Sequence, residues 1–267
     1  MKHLILAGAT LLMALSCVQN KGPKVLVLYY SQNGTTQAVA QQISTLLGAD
    51  IEAIVALDPY NGNFQETIER CLREKEAGIL PEIQPIQADI QAYDYIFLGY
   101  PVWFGTYAPP VAALLEQVDF SGKKLVPFCT FGSGGLDSSA RDLAQKQPGA
   151  QILPGYGVRT ARLEAVPAEL DHFLKEGGFL EGAYEKYPDF SEVRLVSAEE
   201  AALFDAAVAG YPMIHAQAQK VSSRPVPEGT EYLFEAEDLS APVTPHIIQV
   251  YVMEKEGCEP VFTQVLR

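Results

Sequence analysis

From Lys24 to about residue 176, short apolar runs alternate with amphipathic ones, and this alternation constrains the fold more than any other feature of the chain. KVLVLYY, residues 24–30, is apolar almost without interruption, as expected of a strand covered on both faces of a parallel sheet. Thr35 to Leu47 then carries Val39, Ile43, Leu46 and Leu47 at helical spacing. ADIEAIVA alternates as a second strand, and NFQETIERCLREKEAG reads as a charged helix. YDYIFLGYP is a third strand, followed by YAPPVAALLEQV, a helix opened by prolines, which a first turn tolerates. KKLVPFCTFG and QILPGYGV supply strands four and five, with the helices LDSSARDLAQKQ and PAELDHFLKEG after them. Strands alternating with helices of this length predict an α/β fold, a doubly wound five-stranded parallel sheet with helices on both faces.

In such a sheet, ligands bind outside the carboxyl ends of the strands, at the point where the winding reverses. Three polar or glycine-rich loops follow strand ends here: 31–36, 100–107 and 130–136. The first, Ser31-Gln32-Asn33-Gly34-Thr35-Thr36, opens a helix, where backbone N–H groups and the macrodipole favour an anion. Ser31, Thr35 and Thr36 add hydroxyls and Asn33 an amide, so a phosphate can be held without Lys or Arg. Asn33 or Thr35 could instead serve only as a helix cap, but six consecutive polar residues exceed what a cap needs. The Walker ending Gly-Lys-Ser/Thr is absent, as are the three spaced glycines of a dinucleotide loop.

The second loop, GYPVWFGTY, concentrates Tyr100, Trp103, Phe104 and Tyr107, including the chain's only tryptophan, beside Gly105. Such aromatics at a ligand edge suit stacking on a planar partner. The third, CTFGSGGLDSS, offers Thr130, Phe131 as a second face, and Gly132, Gly134 and Gly135 for close backbone approach. A phosphate together with a flat ring describes a mononucleotide.

YSQNGTT resembles the flavodoxin phosphate loop, usually Ser/Thr-x-Thr-Gly-x-Thr, with Asn33 in place of a Thr. DYIFLGYPVWFGT and SGKKLVPFCTFGSGGLDSSARDL are similar to the later cofactor loops of a bacterial flavodoxin subgroup, so the resemblance covers about residues 24–175. It implies the strand order 2-1-3-4-5 and FMN as cofactor. It places the phosphate on Ser31, Gln32, Asn33, Gly34, Thr35 and Thr36. The isoalloxazine falls on Pro101, Trp103, Phe104 and Gly105, with Thr130, Phe131, Gly132, Ser133 and Gly134 completing its surroundings.

The formal charge of −14 argues against nucleic acid as a partner and is compatible with a basic redox partner. Cys17, Cys71, Cys129 and Cys258 are too scattered for a zinc site, and His3, His172, His215 and His246 form no cluster, so no metal is expected. No residue is arranged as an acid, base or nucleophile, so no catalytic residue is assigned. MKHLILAGATLLMALSC reads as an export signal over 1–16, too short to span a bilayer, ending at a lipobox-like Ala14-Leu15-Ser16-Cys17. Cys17 is then the lipidated residue and 17–23 a tether, which places the protein in a bacterial cell envelope; release as a soluble periplasmic protein is the alternative. An exported protein meets little NAD(P)H, so a membrane redox protein or quinol is the expected donor. The expected function is electron transfer at low potential, the neutral phosphate loop leaving the FMN phosphate charge largely intact near the ring. The alternatives are an FMN-dependent NAD(P)H or quinone oxidoreductase, and a binding lipoprotein that has lost flavin.

Residues 24–176 thus form the first domain, and the Gly-, Pro- and charge-bearing stretch 177–192 reads as a linker. In 193–267 a helix SAEEAALFDAAVAG, with Ser197 and Glu200 as a capping box, precedes the strand-like runs MIHAQAQKV, TEYLFEAED, HIIQVYVMEKEG and EPVFTQVLR. This predicts a smaller α+β domain with an antiparallel sheet. It resembles the cystatin fold through the helix and VPEGTEYLFEAE, but the Gln-x-Val-x-Gly signature of protease binding is missing. A docking or dimerisation role is the expectation.

Overall fold

The computed structural model of the protein describes residues 22–240 and 246–267. The expected export signal over 1–16 and Cys17, the expected lipidation site, lie outside these residues.

The first sheet grows around β1 (Val25–Tyr29), flanked by α1 (Thr35–Leu47), β2 (Asp50–Ala53) and α2 (Phe64–Ala77). There follow β3 (Tyr95–Trp103), the two-residue β4 (Thr106–Tyr107), α3 (Pro109–Gln117), β5 (Lys124–Phe131) and α4 (Leu136–Lys146). The fifth strand is split into β6 (Gln151–Ile152) and β7 (Tyr156–Arg159), both parallel to β5, and α5 (Val166–Glu176) closes the domain. The main path runs β2-β1-β3-β5-β6, the order 2-1-3-4-5 that the flavodoxin resemblance implies.

The side-chain alternation of the strands sorts this domain into two cores. Leu26, Leu28 and Tyr30 pack with Ile96, Leu98, Leu125 and Cys129 under α2, α3 and α4, which contribute Cys71, Val111, Leu114 and Leu143. Val27 and Tyr29 point the other way, with Phe97, Val126 and Phe128, onto Val39 and Ile43 of α1 and Leu170 and Leu174 of α5. At Gly99 in β3, a Cβ would stand 2.0 Å from the Phe128 ring, so only glycine lets the two central strands pack here. Of the four apolar residues predicted for the α1 face, Leu46 is exposed at 38%; it lies just beyond the buried stripe.

Residues 177–192 carry no helix or strand, yet they are held on both sides. The His172 ring of α5 stacks on Tyr187 at 4.0 Å, and Arg224 lies 4.4 Å over the Phe190 ring. Beyond them come β8 (Arg194–Leu195), α6 (Ala198–Val208), β9 (Ala216–Val226), β10 (Gly229–Asp238), β11 (His246–Glu254) and β12 (Val261–Leu266). Together β8–β12 form an antiparallel sheet in the order β12-β11-β10-β9-β8. Helix α6 starts at the capping box expected of Ser197 and Glu200, and seats Phe204 and Ala207 against Val221, Phe234, Val250 and Phe262. β8 went unforeseen: two exposed residues leave no alternation to read.

Candidate functional site

The loops after β1, β3 and β5 meet at the carboxyl edge of the parallel sheet, as the winding requires. In the first, the Ser31 hydroxyl accepts the Gly34 N–H at 3.1 Å, and the Thr35 hydroxyl donates to Asn33 Oδ1 at 2.9 Å. Gly34 caps α1 in a left-handed conformation, φ 88, with nothing within 4 Å of where a Cβ would stand. Gly34 has no side chain to cap the helix, and of the first-turn amides Asn33 Oδ1 accepts only the Thr35 N–H, at 3.4 Å. The N–H groups of Thr36 and Gln37 therefore have no acceptor among the described residues, which leaves a helix N-terminus equipped with donors. Gln32 is exposed, but its amide donates to Tyr60 O at 3.0 Å and to Thr67 Oγ1 at 2.9 Å, tying this loop to α2.

Thr36 and Thr130, expected at the cofactor, are buried at 0% and 1%, and their hydroxyls bond each other at 2.8 Å. They brace the first loop against the end of β5 from beneath. Phe131 does not provide a second ring face: it continues β5, pairs with Arg159 and lies in the core with Cys129 and Leu143.

The second loop is a hairpin. Val102 pairs with Tyr107 and Trp103 with Thr106, so Phe104 and Gly105 form a two-residue turn with φ of 52 and 79. Positive φ at both positions is the type I′ pattern that suits hairpin twist, normally filled by Asn-Gly. Phe104 is the only described non-glycine residue at positive φ, and its ring is 61% exposed. A strained aromatic held outward is a mark of a functional position. Ser138 of α4 donates to Gly105 O at 2.5 Å and holds the turn. Trp103 is half-buried edge-on against Tyr30 and Tyr60, with ring centroids 5.9 and 5.3 Å away. Tyr60 is fixed in turn by Arg70, 3.8 Å over its ring, and by its hydroxyl donating to Glu74 at 2.5 Å. Burial, and for Tyr60 also the Glu74 carboxylate, pushes both phenols well above their ordinary range, so they stay neutral. Burial likewise raises the Cys71 thiol, to about 11, and the Cys129 thiol further, which leaves both without thiolate reactivity.

The third loop meets the second domain. Val265 N–H of β12 donates to Ser133 O at 2.6 Å, and a Cβ on Gly134 would stand 2.2 Å from Val265 O. Arg159, 7% exposed at the end of β7, donates to Gly132 O at 3.0 Å and to Phe262 O at 2.7 Å, with its guanidinium 3.4 Å over the Phe262 ring. Desolvation lowers the Arg159 pKa, although arginine stays charged. The close approach that these glycines permit is thus made by the second domain. A cavity of about 1190 Å³ opens between the walls, lined by Gln32, Trp103, Phe104, Gly105 and Gly132–Gly135 on one side and Met213, Ile247 and Leu266 on the other. Phe64, Thr67 and Ile68 of α2, Ser138 and Arg141 of α4, and the whole second-domain wall were not found from the sequence. Two signals were available: Phe64 directly after the Asn63 cap, where a helix start is normally wet, and Arg159 as the one cation ending an otherwise apolar strand.

A family model described as flavodoxin matches residues 24–166, ending before the second domain. No curated protein matches the chain. Among solved structures, a candidate flavoprotein from Bacteroides eggerthii DSM 20697 is 28% identical, with 56% of this chain and 96% of that one covered and a TM-score of 0.49. Another from Bacteroides uniformis ATCC 8492 is 25% identical, with 57% and 99% covered and a TM-score of 0.50. A flavoprotein from Lactobacillus acidophilus NCFM, solved in complex with FMN, is 24% identical, with 56% and 97% covered and a TM-score of 0.47. The family match spans more than half of the chain, and with the parallel sheet and its three convergent loops it makes this protein a member of the flavodoxin family.

Proposed function

We propose that the chain binds FMN at the carboxyl edge of its parallel sheet and transfers electrons through it. One observation carries this reading: a helix-opening loop whose Thr36 and Gln37 amides have no acceptor among the described residues and an aromatic hairpin lie at the same sheet edge, and Gln32 of the first lines one cavity with Trp103, Phe104 and Gly105 of the second. The donor set fits the cofactor. Ser31, Asn33, Gly34 and Thr35 would hold the phosphate, helped by the Thr36 and Gln37 amides at the start of α1. Trp103, Phe104 and Gly105 would take the ring, with Pro101 beside them; Thr36 and Thr130 support the phosphate loop without facing the ligand. Bound there, FMN would supply the redox chemistry. The protein's part is to fix the ring, exclude water and set the local charge.

Export and anchoring through Cys17 complete the proposal. They rest on the apolar run Leu4–Leu15 and the lipobox-like ending. A membrane redox protein or quinol is then the electron donor. A second reading, an FMN-dependent oxidoreductase acting on a small molecule, is favoured by the second-domain wall across the cavity, which narrows access for a protein partner. The test is titration of the purified apoprotein with FMN, followed by quenching of flavin fluorescence. Saturable binding of one FMN per chain, weakened by Gly34→Ala, is expected; no binding would overturn the cofactor assignment. Palmitate labelling that persists in Cys17→Ala would overturn the anchor.

A further inference from the structure

The site described above is larger than most single-ligand pockets and presents an apolar second-domain wall. Ligand sites usually measure about 300–1,000 Å³, and this cavity reaches about 1190 Å³. Its second-domain wall is apolar where it faces the gap: Met213 is 64% exposed and Ile247 50%, with Leu266 beside them. Across from them stand Phe104 and Phe64, the latter 82% exposed. Large apolar side chains left uncovered on two facing walls mark a binding surface.

The two walls are tied together. Arg159 bridges Gly132 O and Phe262 O, and Val265 N–H bonds Ser133 O, so the two walls are joined beside the cavity by direct polar contacts. Gly134 leaves no space for sliding, because its backbone already abuts that of Val265. Concavity between fixed walls suits a small molecule better than a protein surface.

Charge narrows the class further. The charged side chains of the lining are Asp137 and Glu235 against Arg141 and Arg267, which sum to zero. Glu235 is already paired with Lys220 at 3.4 Å, and Arg267 donates to Met213 O at 2.7 Å. A dinucleotide would bring a diphosphate that calls for several cations or a further cluster of free amides, and the second wall offers one guanidinium, Arg267, already donating to Met213 O.

We propose that the space between Phe104 and the Met213–Ile247–Leu266 wall is a second binding subsite, for an uncharged, largely apolar, ring-sized organic molecule that sits beside FMN. This rests on the FMN reading above and deepens it. The second domain is then part of the site, and its role is to build the wall that selects the second ligand.

The test is calorimetric titration of the FMN-loaded chain with prodan, an uncharged naphthyl ketone, and separately with NADH. Prodan is expected to bind once per chain without releasing FMN, while NADH shows no saturable binding. Met213→Asp and Ile247→Asn, both at partly exposed positions, are each expected to weaken prodan about tenfold or more by placing a polar group on the apolar wall. FMN affinity should change less than about twofold, with folding checked by near-ultraviolet circular dichroism. Unchanged prodan affinity in both folded variants overturns the subsite, as does stoichiometric release of FMN by prodan or saturable binding of NADH. Failure of the FMN reading shows separately, as a chain that does not quench flavin fluorescence. The same prodan titration on that apo chain still decides the wall: weakening in the two variants retains it, and no weakening overturns it.

Discussion

The first and third loops sit at the same sheet edge, yet they use their glycines in opposite ways. Gly34 stands in open space at φ 88, so its need for glycine is purely conformational. Gly134 has no left-handed backbone, but its missing Cβ is where the Val265 carbonyl comes in. The first loop is therefore shaped within its own domain and leaves the Thr36 and Gln37 amides without an acceptor among the described residues. The third is shaped by a second domain packed onto it. A glycine-rich loop at a ligand edge announces close approach without saying what approaches.

The largest effect expected from this contrast is at Gly134. Gly134→Val forces a side chain into the Val265 backbone and should destabilise the docked arrangement by about 3 kcal/mol, the upper part of the usual overpacking range. Thermal unfolding should fall accordingly, and residues 177–192 should become cleavable by protease. Gly34→Ala meets no atom and costs only the left-handed conformation, about 1–2 kcal/mol, but should weaken FMN more than its stability loss explains. The contrast breaks if Gly134→Val leaves both the melting temperature and protection from protease unchanged.

Most of the first domain was legible because parallel strands covered on both faces read as plain apolar runs, and each helix carried its own stripe. The strand order came from the family resemblance, since no local pattern encodes which strands are neighbours. Phe131 was misread through its loop-like surroundings. The odd-numbered alternation Leu125, Cys129, carried two residues further, places Phe131 in the core. The Trp103–Thr106 hairpin escaped because Phe104 occupies a position where asparagine or glycine signals the turn. Apart from the two-residue β8, the second domain's elements were readable, but its place over the third loop was not. That docking rests on Arg159, Ser133 and Val265, residues far apart in sequence with no shared local signature.

Thr36 sharpens the description of the first loop. Thr36→Ala removes one half of a buried hydroxyl pair and leaves Thr130 Oγ1 without its partner, at a cost of about 1–2 kcal/mol. FMN affinity should fall with it, because the brace under the phosphate loop is gone. Thr36→Ser keeps the hydroxyl and should restore most of both. If the serine variant restores stability but not FMN affinity, the Thr36 side chain acts on the ligand itself. At the hairpin the expected signs are opposed. Phe104→Asn puts a turn-compatible residue at φ 52 and should stabilise the fold by about 1 kcal/mol while weakening FMN, since the outward ring is lost. A variant that gains neither stability nor loses affinity would remove Phe104 from the site.

The smallest effect tests whether the third loop's shape depends on the second domain while the first loop's does not. Glu200 joins both oxygens to the Arg194 guanidinium, at 2.5 and 2.6 Å, and closes the α6 capping box with Ser197. Chiefly through Arg194, its pKa is pulled down from 4.5 to about 2. A carboxyl depressed by folding adds stability above its unfolded value, and that stability is lost as pH falls from about 4.5 toward 2. Acidification through this window should therefore loosen α6 and β8, and Glu200→Gln should flatten the pH dependence while lowering stability at neutral pH. The readout is tyrosine near-ultraviolet circular dichroism set against flavin fluorescence on the same acid titration. Loss of second-domain signal in the wild type, with FMN still bound at the first loop, is the expected order. Release of FMN before any second-domain change would mean that the phosphate loop, too, leans on the wall across the cavity.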